Sequence, residues 1–271
     1  MHKVPAKLAC RFFGLLCLWA TTLAPALHAQ VLPNEVRLEA LATGEELTAQ
    51  PNLWVMEVYV RPLRMIVVEL TDPQTGVKQP QNVWYLPYRA INRRLTQRTP
   101  TEAPVNDTDP SVLPPRFVPE FVLIAPDIDP PSILHDEILP EALEVIQRRE
   151  RRILNDSVNI IRDVPPPLDS QQPAEADQII EGVATWRGVP PQADRYIVYA
   201  MGFSNGLKRG QAPDGTPYLM RKTIEMRFWR PGDEFELRER EIRFEPDTIP
   251  DSLLREPEHR PSGHYIRWIY R

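Results

Sequence analysis

Only two cysteines occur among the 271 residues, and both of them, Cys10 and Cys17, lie within the first 29 residues. If that segment is removed on export, the remaining chain of about 240 residues has no cysteine. Thiolate catalysis, iron–sulfur clusters, cysteine-ligated zinc and disulfide bonds are then excluded. A chain of about 240 residues can bury an ordinary hydrophobic core, so we expect its stability to come from packing, with no cofactor.

Glycine is also scarce, at 11 residues, whereas proline is abundant, at 31. Proline is poorly tolerated inside helices, and so few glycines argue against a flexible linker protein. Histidine is equally sparse. Only His135, His259 and His264 follow residue 29, without an H-E-x-x-H spacing, which argues against a zinc site. This composition predicts a mainly β protein with stiff, proline-rich connections.

The first 29 residues have the layout of a secretory signal peptide. Three basic side chains precede a short apolar run at 12–20, and small residues suited to cleavage follow at Ala26 and Ala29. The apolar run is too short for a convincing membrane span. We therefore expect an exported protein, located in the periplasm, the cell envelope or the medium, with cleavage after Ala26 or Ala29. Retention of the segment as an N-terminal anchor is the alternative.

The chain that remains after this cleavage is acidic. It loses three basic residues and no acid, which leaves 29 Lys and Arg against 37 Asp and Glu, a net charge of −8. Nucleic-acid binding needs a net basic face, so this balance argues against a nucleic-acid partner. No transmembrane span is expected in the mature chain.

The pattern along the mature chain predicts many short strands. Residues 30–50 are polar and are interpreted as a flexible N-terminal arm, and 53–70 are expected to form two strands or one long strand broken at Pro62. The segment Tyr196–Met201 is apolar on both faces and predicts a central strand. Further strands are expected at 81–92, 116–124, 157–161, 178–186, 195–203, 217–230, 234–244 and 264–270.

Alternating β-α units are absent, so a doubly wound sheet is not expected. The prediction is an all-β fold, an immunoglobulin-like antiparallel β-sandwich over 51–271 with proline-rich loops and one α-helix. Two small sandwiches divided near 164–177 are the alternative.

The one predicted helix spans about 137–154. Acidic residues gather at its start and arginines at its end, as the helix dipole favours. The core-facing stripe is expected to consist of Ile138, Ala142, Val145, Ile146 and Ile153. The arginines at 148–152 are interpreted as a charged helix end, with an anion site as the alternative.

A hairpin is predicted around the turn at 230–233, where Pro231 and Gly232 suit a type II turn. This register places Phe228 opposite Phe235 on an apolar face. A longer loop, which would shift this register, is the alternative, because type II turns match the twist of strands less well than primed turns. The exposed face would carry two charge pairs, Arg227 with Glu236 and Glu225 with Arg238.

The segment 202–206, Gly-Phe-Ser-Asn-Gly, matches the G-x-S-x-G pattern of serine hydrolases and follows a strong strand. That pattern needs a following helix, which the sequence does not predict, and a histidine, for which only His259 and His264 remain downstream. The preferred interpretation is a strand-end turn. A serine hydrolase using Ser204 is the runner-up.

Four aspartates in loops offer oxygen ligands for a hard cation such as calcium: Asp107, Asp109, Asp127 and Asp129. They are weak candidates without EF-hand spacing, and solvated loops are the preferred interpretation. Five tryptophans could line a sugar groove, although most lie in strand patterns that favour core packing: Trp54, Trp84, Trp186, Trp229 and Trp268. A loop-based calcium or glycan binder is thus a third possibility.

The chain resembles a group of exported bacterial proteins of the planctomycete type, of unassigned function. Three sequence strings carry the resemblance: VWYLPYRAIN, GVATW with YIVYAMGFSNGLKR, and RKTIEMRFWRPGDEFELREREIRF with the terminal WIYR. The resemblance implies export and an immunoglobulin-like sandwich, and it implies no activity and no catalytic residue. We therefore expect a non-catalytic interaction or structural module whose partner is an envelope or extracellular protein or a glycan.

Overall fold

The computed structural model describes residues 35–95, 115–170, 172–231, 242–246 and 263–271. The predicted signal peptide, Asp107, Asp109, His259 and most of the predicted strand at 234–244 lie outside these ranges. The helices and strands, in chain order, are β1 (Val36–Leu38), α1 (Gly44–Ala49), β2 (Met56–Val60), β3 (Arg64–Thr71), β4 (Lys78–Asn92), β5 (Arg116–Phe117), β6 (Glu120–Ala125), β7 (Ser132–His135), α2 (Pro140–Glu150), β8 (Arg162–Asp163), β9 (Ile179–Trp186), β10 (Arg195–Met201), β11 (Leu207–Gln211), β12 (Pro217–Trp229), β13 (Arg243–Phe244) and β14 (Ile266–Tyr270).

The first sheet is built around β4, which is antiparallel to every neighbour. β2 and β3 follow one another along one side of β4, β9 pairs with the other side, and β1 extends the sheet beyond β2. Val60 lies opposite Tyr88 but Arg64 lies opposite Tyr85, so the register shifts across the break. The break contains Pro62, which has no N–H to give to the ladder. The predicted strand interruption at Pro62 is therefore confirmed.

The second sheet has the same arrangement, built around the long strand β12. β10 and β11 follow one another along one side of β12, while β14 and β13 pair with its other side. β6 and then β7 extend the sheet beyond β10. The strand at 195–201 lies between β12 and β6, so its predicted central position is confirmed.

The inner faces of the two sheets share one hydrophobic core. Met56, Trp84 and Trp186 of the first sheet and Phe121 and Phe228 of the second are among its most buried members. The predicted all-β antiparallel sandwich is confirmed, while its immunoglobulin-like type stays a prediction.

The pairings cross the boundary considered at 164–177. β4 pairs with β9, and β6 pairs with β10, although each pair has one strand on either side of that segment. A division into two small sandwiches does not fit these pairings.

The outer face of the first sheet is covered by α2. Ala142 and Ile146 pack on β3 and β4 in a second apolar cluster. The predicted helix is confirmed over 140–150 but is shorter than expected, because the chain leaves it at Arg151, which has a left-handed φ of 55°. Ile138 and Ile153 lie beyond the helix and are exposed, so including them in the core-facing stripe was wrong.

Three other local predictions differ from the structure. Residues 157–160, predicted as a strand, form a turn in which Asp156 Oδ1 accepts from the backbone N–H groups of Val158 and Asn159. Phe228 lies opposite Phe244, so the predicted partner of Phe228 was wrong, and Phe235 lies outside the described residues. Glu225, predicted as exposed, is buried and is bonded to Arg227 and Arg267.

The described part of the predicted arm, residues 35–50, contains β1 and α1. Val36 and Leu38 are buried where β1 pairs with β2. Thr43 and Glu46 form a reciprocal capping box at the start of α1, and this satisfies two backbone donors that a free helix end would leave open. In the described ranges no helix has the length and apolarity needed to cross a bilayer.

Candidate functional site

A cleft of about 820 Å³ opens at one end of the sandwich. Its walls come from α1 and the segment leading into β2, from the end of β4, and from the proline-rich connection between β8 and β9. The lining residues are Leu47, Pro51, Leu53, Trp54, Asn92, Arg93, Arg94, Leu95, Pro115, Val164, Pro165, Pro166, Pro167, Asp169 and Ser170. The volume lies within the range of about 300–1,000 Å³ that is usual for small-ligand sites.

The proline-rich wall is held by bonds to the strand end opposite it. The Asn92 side chain donates through Nδ2 to the Pro165 carbonyl at 2.8 Å, and the Asn92 carbonyl accepts from Leu168 N at 3.0 Å. Val164 N donates to the Pro115 carbonyl at 2.8 Å. Because proline also fixes its own φ, this wall is rigid before any ligand arrives.

The opposite wall carries Trp54, which is held by the Gly-Phe-Ser-Asn-Gly segment. Trp54 N donates to Asn205 Oδ1 at 2.8 Å, and the Trp54 carbonyl accepts from Ser204 Oγ at 2.8 Å. Gln50 makes two further bonds, donating to the Asn205 carbonyl and accepting from Leu207 N. The segment between β10 and β11 thus fixes the backbone of the cleft wall.

Close packing explains why this segment has glycine at 202 and 206. Gly202 has a φ of +85°, and a Cβ there would lie 2.0 Å from the Val118 carbonyl oxygen. A Cβ at Gly206 would lie 2.9 Å from the Lys222 Cβ. Both positions therefore require glycine for reasons that involve no chemistry at Ser204.

The Ser204 hydroxyl is engaged with backbone groups. It donates to the Trp54 carbonyl and accepts from Gly206 N at 3.0 Å. A serine nucleophile needs a base that takes its proton, and a backbone carbonyl cannot serve as that base. β11 follows the motif where the hydrolase pattern has a helix. His264, the described one of the two candidate histidines, packs its ring on Phe244.

Two of the cation-site candidates, Asp127 and Asp129, lie among the described residues. Asp127 Oδ2 accepts from the backbone N–H groups of Asp194 and Arg195, at 2.7 and 3.0 Å, and so joins two loops. Asp129 precedes Pro130 through a cis peptide bond. No group of three or more potential metal-ligating side chains occurs in the described part of the chain.

A buried ion pair adjoins the cleft at Arg93. The side chain of Arg93 donates to Glu57 Oε1 at 3.1 Å, and also to the carbonyls of Asp169 and Gln172. Glu57 is 2% exposed and also accepts from Arg37 and from the Tyr59 hydroxyl. The charge of Arg93 is therefore balanced by the buried carboxylate of Glu57.

Two of the arginines at the end of α2 are paired. Arg152 donates to Glu35 at 3.0 Å and is bonded to Glu181, and Arg148 lies 3.9 Å from Glu144 on the surface. These contacts support the charged helix end, while Arg149 and Arg151 are exposed, so an anion site stays the alternative.

Glu150 closes the same end of the helix. Its buried carboxylate accepts from Arg61 and Arg64, each at 2.6 Å, and from the Tyr85 hydroxyl at 2.9 Å. Burial, followed by the negative charge of Glu150, raises the pKa of Tyr85 to about 12.

Two buried polar atoms of the cleft residues have no hydrogen-bond partner among the described residues. They are Oδ1 of Asn92, a residue that is 5% exposed, and Nε1 of Trp54. An unsatisfied buried polar group costs about 1–3 kcal/mol. The bond from Nδ2 to Pro165 fixes which end of the Asn92 amide is left open.

The tryptophans divide between core and cleft. Trp84 and Trp186 are buried in the core, as the strand patterns predict, and Trp229 is half-buried. Trp54 packs on the edge of the core and also lines the cleft. The sequence predictions did not identify the cleft, whose signal in the sequence is the proline run 165–167 together with Pro51 close to Trp54.

Comparison with protein-family models, with curated proteins and with solved structures finds no match for the chain. Functional inference therefore rests on the geometry of the cleft.

Proposed function

We propose that this chain is an exported, non-catalytic binding module of the cell envelope or the extracellular space, and that the cleft is its ligand site. The supporting observation is the preformed cleft itself, whose proline-rich wall is bonded to the end of β4 and whose opposite wall is bonded to the turn at Ser204 and Asn205. The export part of the proposal rests on the pattern of the first 29 residues.

The titratable side chains of the cleft favour binding over proton transfer. They are Arg93, Arg94 and Asp169, and the last two are paired to each other at 2.9 Å. A guanidinium stays protonated at any physiological pH, so neither arginine can act as a general base. The remaining lining side chains are apolar or neutral.

Rigidity of the walls favours a ligand site over an incidental gap. Pro165, Pro166 and Pro167 form one side, and the opposite side is held through Ser204 and Asn205. A site that is already ordered does not lose loop entropy when a ligand binds, and this is the usual source of affinity in a preformed site.

The test uses the tryptophans as reporters. The purified chain is labelled with 5-fluorotryptophan, and the ¹⁹F resonance of Trp54 is assigned by its loss in Trp54→Phe. Titration with a panel of uncharged disaccharides, blocked peptides and short alcohols should shift the Trp54 resonance while the core residue Trp186 stays unchanged. If no probe shifts Trp54 at millimolar concentration, the cleft is not the ligand site.

A further inference from the structure

The turn that holds Trp54 also contains the only asparagine–glycine pair in the sequence, Asn205–Gly206. In such a pair the backbone nitrogen of the glycine can attack the side-chain amide of the asparagine, because glycine has no Cβ to hinder the approach. We infer that Asn205 is a deamidation site, which the native turn keeps as an amide and which is converted to aspartate or isoaspartate when the turn opens. This inference goes beyond the proposed function, since it holds whatever the cleft binds.

The reaction needs only hydroxide and water. Hydroxide takes the proton of the Gly206 backbone N–H, and the nitrogen then forms a bond to Cγ of Asn205. The bond from Cγ to Nδ2 breaks, and Nδ2 leaves as ammonia with a proton from water, which regenerates the hydroxide. Water then opens the cyclic imide at either of its two carbonyls and gives aspartate or isoaspartate. The net change consumes water and releases ammonia.

The nitrogen that must attack is engaged in the native structure. Gly206 is buried, and its N–H donates to Ser204 Oγ at 3.0 Å. Ser204 is held in turn, because its hydroxyl donates to the Trp54 carbonyl at 2.8 Å. A buried N–H that donates a hydrogen bond is shielded from hydroxide and must lose that bond before it reacts.

The amide that must be attacked is held at both ends. Asn205 Oδ1 accepts from Trp54 N at 2.8 Å, and Asn205 Nδ2 donates to the Asn52 carbonyl at 3.0 Å. The main-chain carbonyl of Asn205 also accepts from Gln50 Nε2 at 2.9 Å. Ring closure turns the side chain onto the next peptide nitrogen and so breaks both side-chain bonds. The native turn therefore opposes a reaction that the unfolded chain allows.

Deamidation would also change the wall of the cleft. Aspartate at 205 puts an oxygen where Nδ2 now donates, so that two acceptors face each other across the 3.0 Å contact with the Asn52 carbonyl. Isoaspartate adds a methylene group to the main chain beside Gly206, where even an added Cβ would lie 2.9 Å from the Lys222 Cβ. Both products should therefore loosen the bonds that hold Trp54.

The experiment follows the full chain in mildly alkaline buffer and measures deamidation by mass spectrometry of the peptide that contains residue 205. The native chain should react at least about tenfold more slowly than the chain in guanidinium chloride, because the three bonds of the Asn205 side chain and Gly206 N must open together. Ser204→Ala should raise the native rate about two- to tenfold, the factor that corresponds to one lost hydrogen bond.

Thr185→Ala is the matched control for Ser204→Ala. It also removes a hydroxyl that donates to a backbone carbonyl, that of Glu137, but it lies on β9 and not in the turn. Its rate of deamidation should equal that of the wild-type chain, and the melting temperatures of both variants show how far each one is destabilised.

A second variant tests the effect of the product. Asn205→Asp carries the aspartate from the start, and it should lower the melting temperature and shift the ¹⁹F resonance of Trp54. Asn82→Asp adds the same charge at an exposed residue of β4 and should do neither.

Each part of the inference can fail separately. Equal rates in the native and denatured chains would show that the fold does not protect Asn205. A wild-type rate in Ser204→Ala, or an equal increase in Thr185→Ala, would show that the Gly206 bond is not what slows the reaction. If another asparagine reacts first in the denatured chain, the assigned site is wrong. An unmoved Trp54 resonance in Asn205→Asp would overturn the effect on the cleft wall.

Discussion

Replacing Gly202 by alanine tests the structural role of the Gly-Phe-Ser-Asn-Gly segment directly. Gly202 has a φ of +85°, and an added Cβ would lie 2.0 Å from the carbonyl oxygen and 2.8 Å from the carbonyl carbon of Val118. Two separate costs therefore arise at one position, a strained backbone and a collision with a neighbouring main chain. The collision cannot be relieved by a side-chain rotation.

Gly215→Ala is the matched control, because it carries the first cost without the second. Gly215 has a φ of +86°, and the nearest atom to its added Cβ is 3.8 Å away. Left-handed backbone costs alanine about 1–2 kcal/mol, and lower entropy of the unfolded chain returns about 0.4–1 kcal/mol. Gly215→Ala should therefore lose about 1 kcal/mol. Gly202→Ala should lose about 2–4 kcal/mol, since overpacking adds about 1–3 kcal/mol.

Urea unfolding of both variants gives the two free energies, and constant m values show that the unfolding transition is unchanged. In the labelled protein, the ¹⁹F resonance of Trp54 should move in Gly202→Ala and stay in place in Gly215→Ala, because only the first site adjoins the turn that holds the cleft wall. Equal losses of stability, or an unmoved Trp54 resonance in Gly202→Ala, would refute the reasoning.

Three further predictions concern single side chains. Glu57→Gln should lower the free energy of unfolding in urea by about 3–5 kcal/mol, because it leaves the buried Arg93 without its counter-charge. Glu144→Gln is the control: its carboxylate is exposed, so the loss should be at most about 0.5 kcal/mol. The raised pKa of Tyr85, about 12 against 10 for the unfolded chain, supplies stability that is complete below pH 10 and is lost as the pH rises toward 12. Tyr85→Phe should therefore flatten the fall of unfolding free energy over pH 10–12, and an unchanged slope would count against the buried hydroxyl. Ser204→Ala should lower the free energy of unfolding by about 0.5–1.5 kcal/mol, because it removes the hydroxyl's bonds to the Trp54 carbonyl and to Gly206 N. The wild-type chain should not be labelled by a fluorophosphonate. Stoichiometric labelling that Ser204→Ala abolishes would establish the hydrolase alternative.

The strand features that depend on a few neighbouring residues were predicted correctly from the sequence. Pro62 interrupts a run of apolar residues, and the structure places the break between β2 and β3 there. The segment Tyr196–Met201 is apolar on both faces and lies in a central strand of its sheet. Each of these predictions depends on the chemistry of a few neighbouring residues, which one sequence displays in full.

Features that depend on which segments meet were predicted less well. The hairpin register followed from a turn of four residues, whereas Phe228 pairs with Phe244 across a longer connection. The burial of Glu57 was not predicted. Glu57 is bonded to Arg93, whose side chain also donates to the carbonyls of Asp169 and Gln172, and no local pattern brings these segments together.

The G-x-S-x-G pattern shows how one local string supports two functions until its neighbours are known. In a hydrolase the two glycines free the turn that exposes the serine to a base and an oxyanion site. Here Gly202 leaves room for the Val118 carbonyl, while Ser204 donates to the Trp54 carbonyl and Asn205 accepts from the Trp54 N–H. A serine hydroxyl that donates to a backbone carbonyl is poorly placed to give its proton to a base, but its hydrogen bond holds the cleft wall in place. The same bonds that weigh against Ser204 as a nucleophile therefore favour the cleft as a rigid site, and a loosened turn should weaken ligand binding through Trp54 without removing any contact to the ligand.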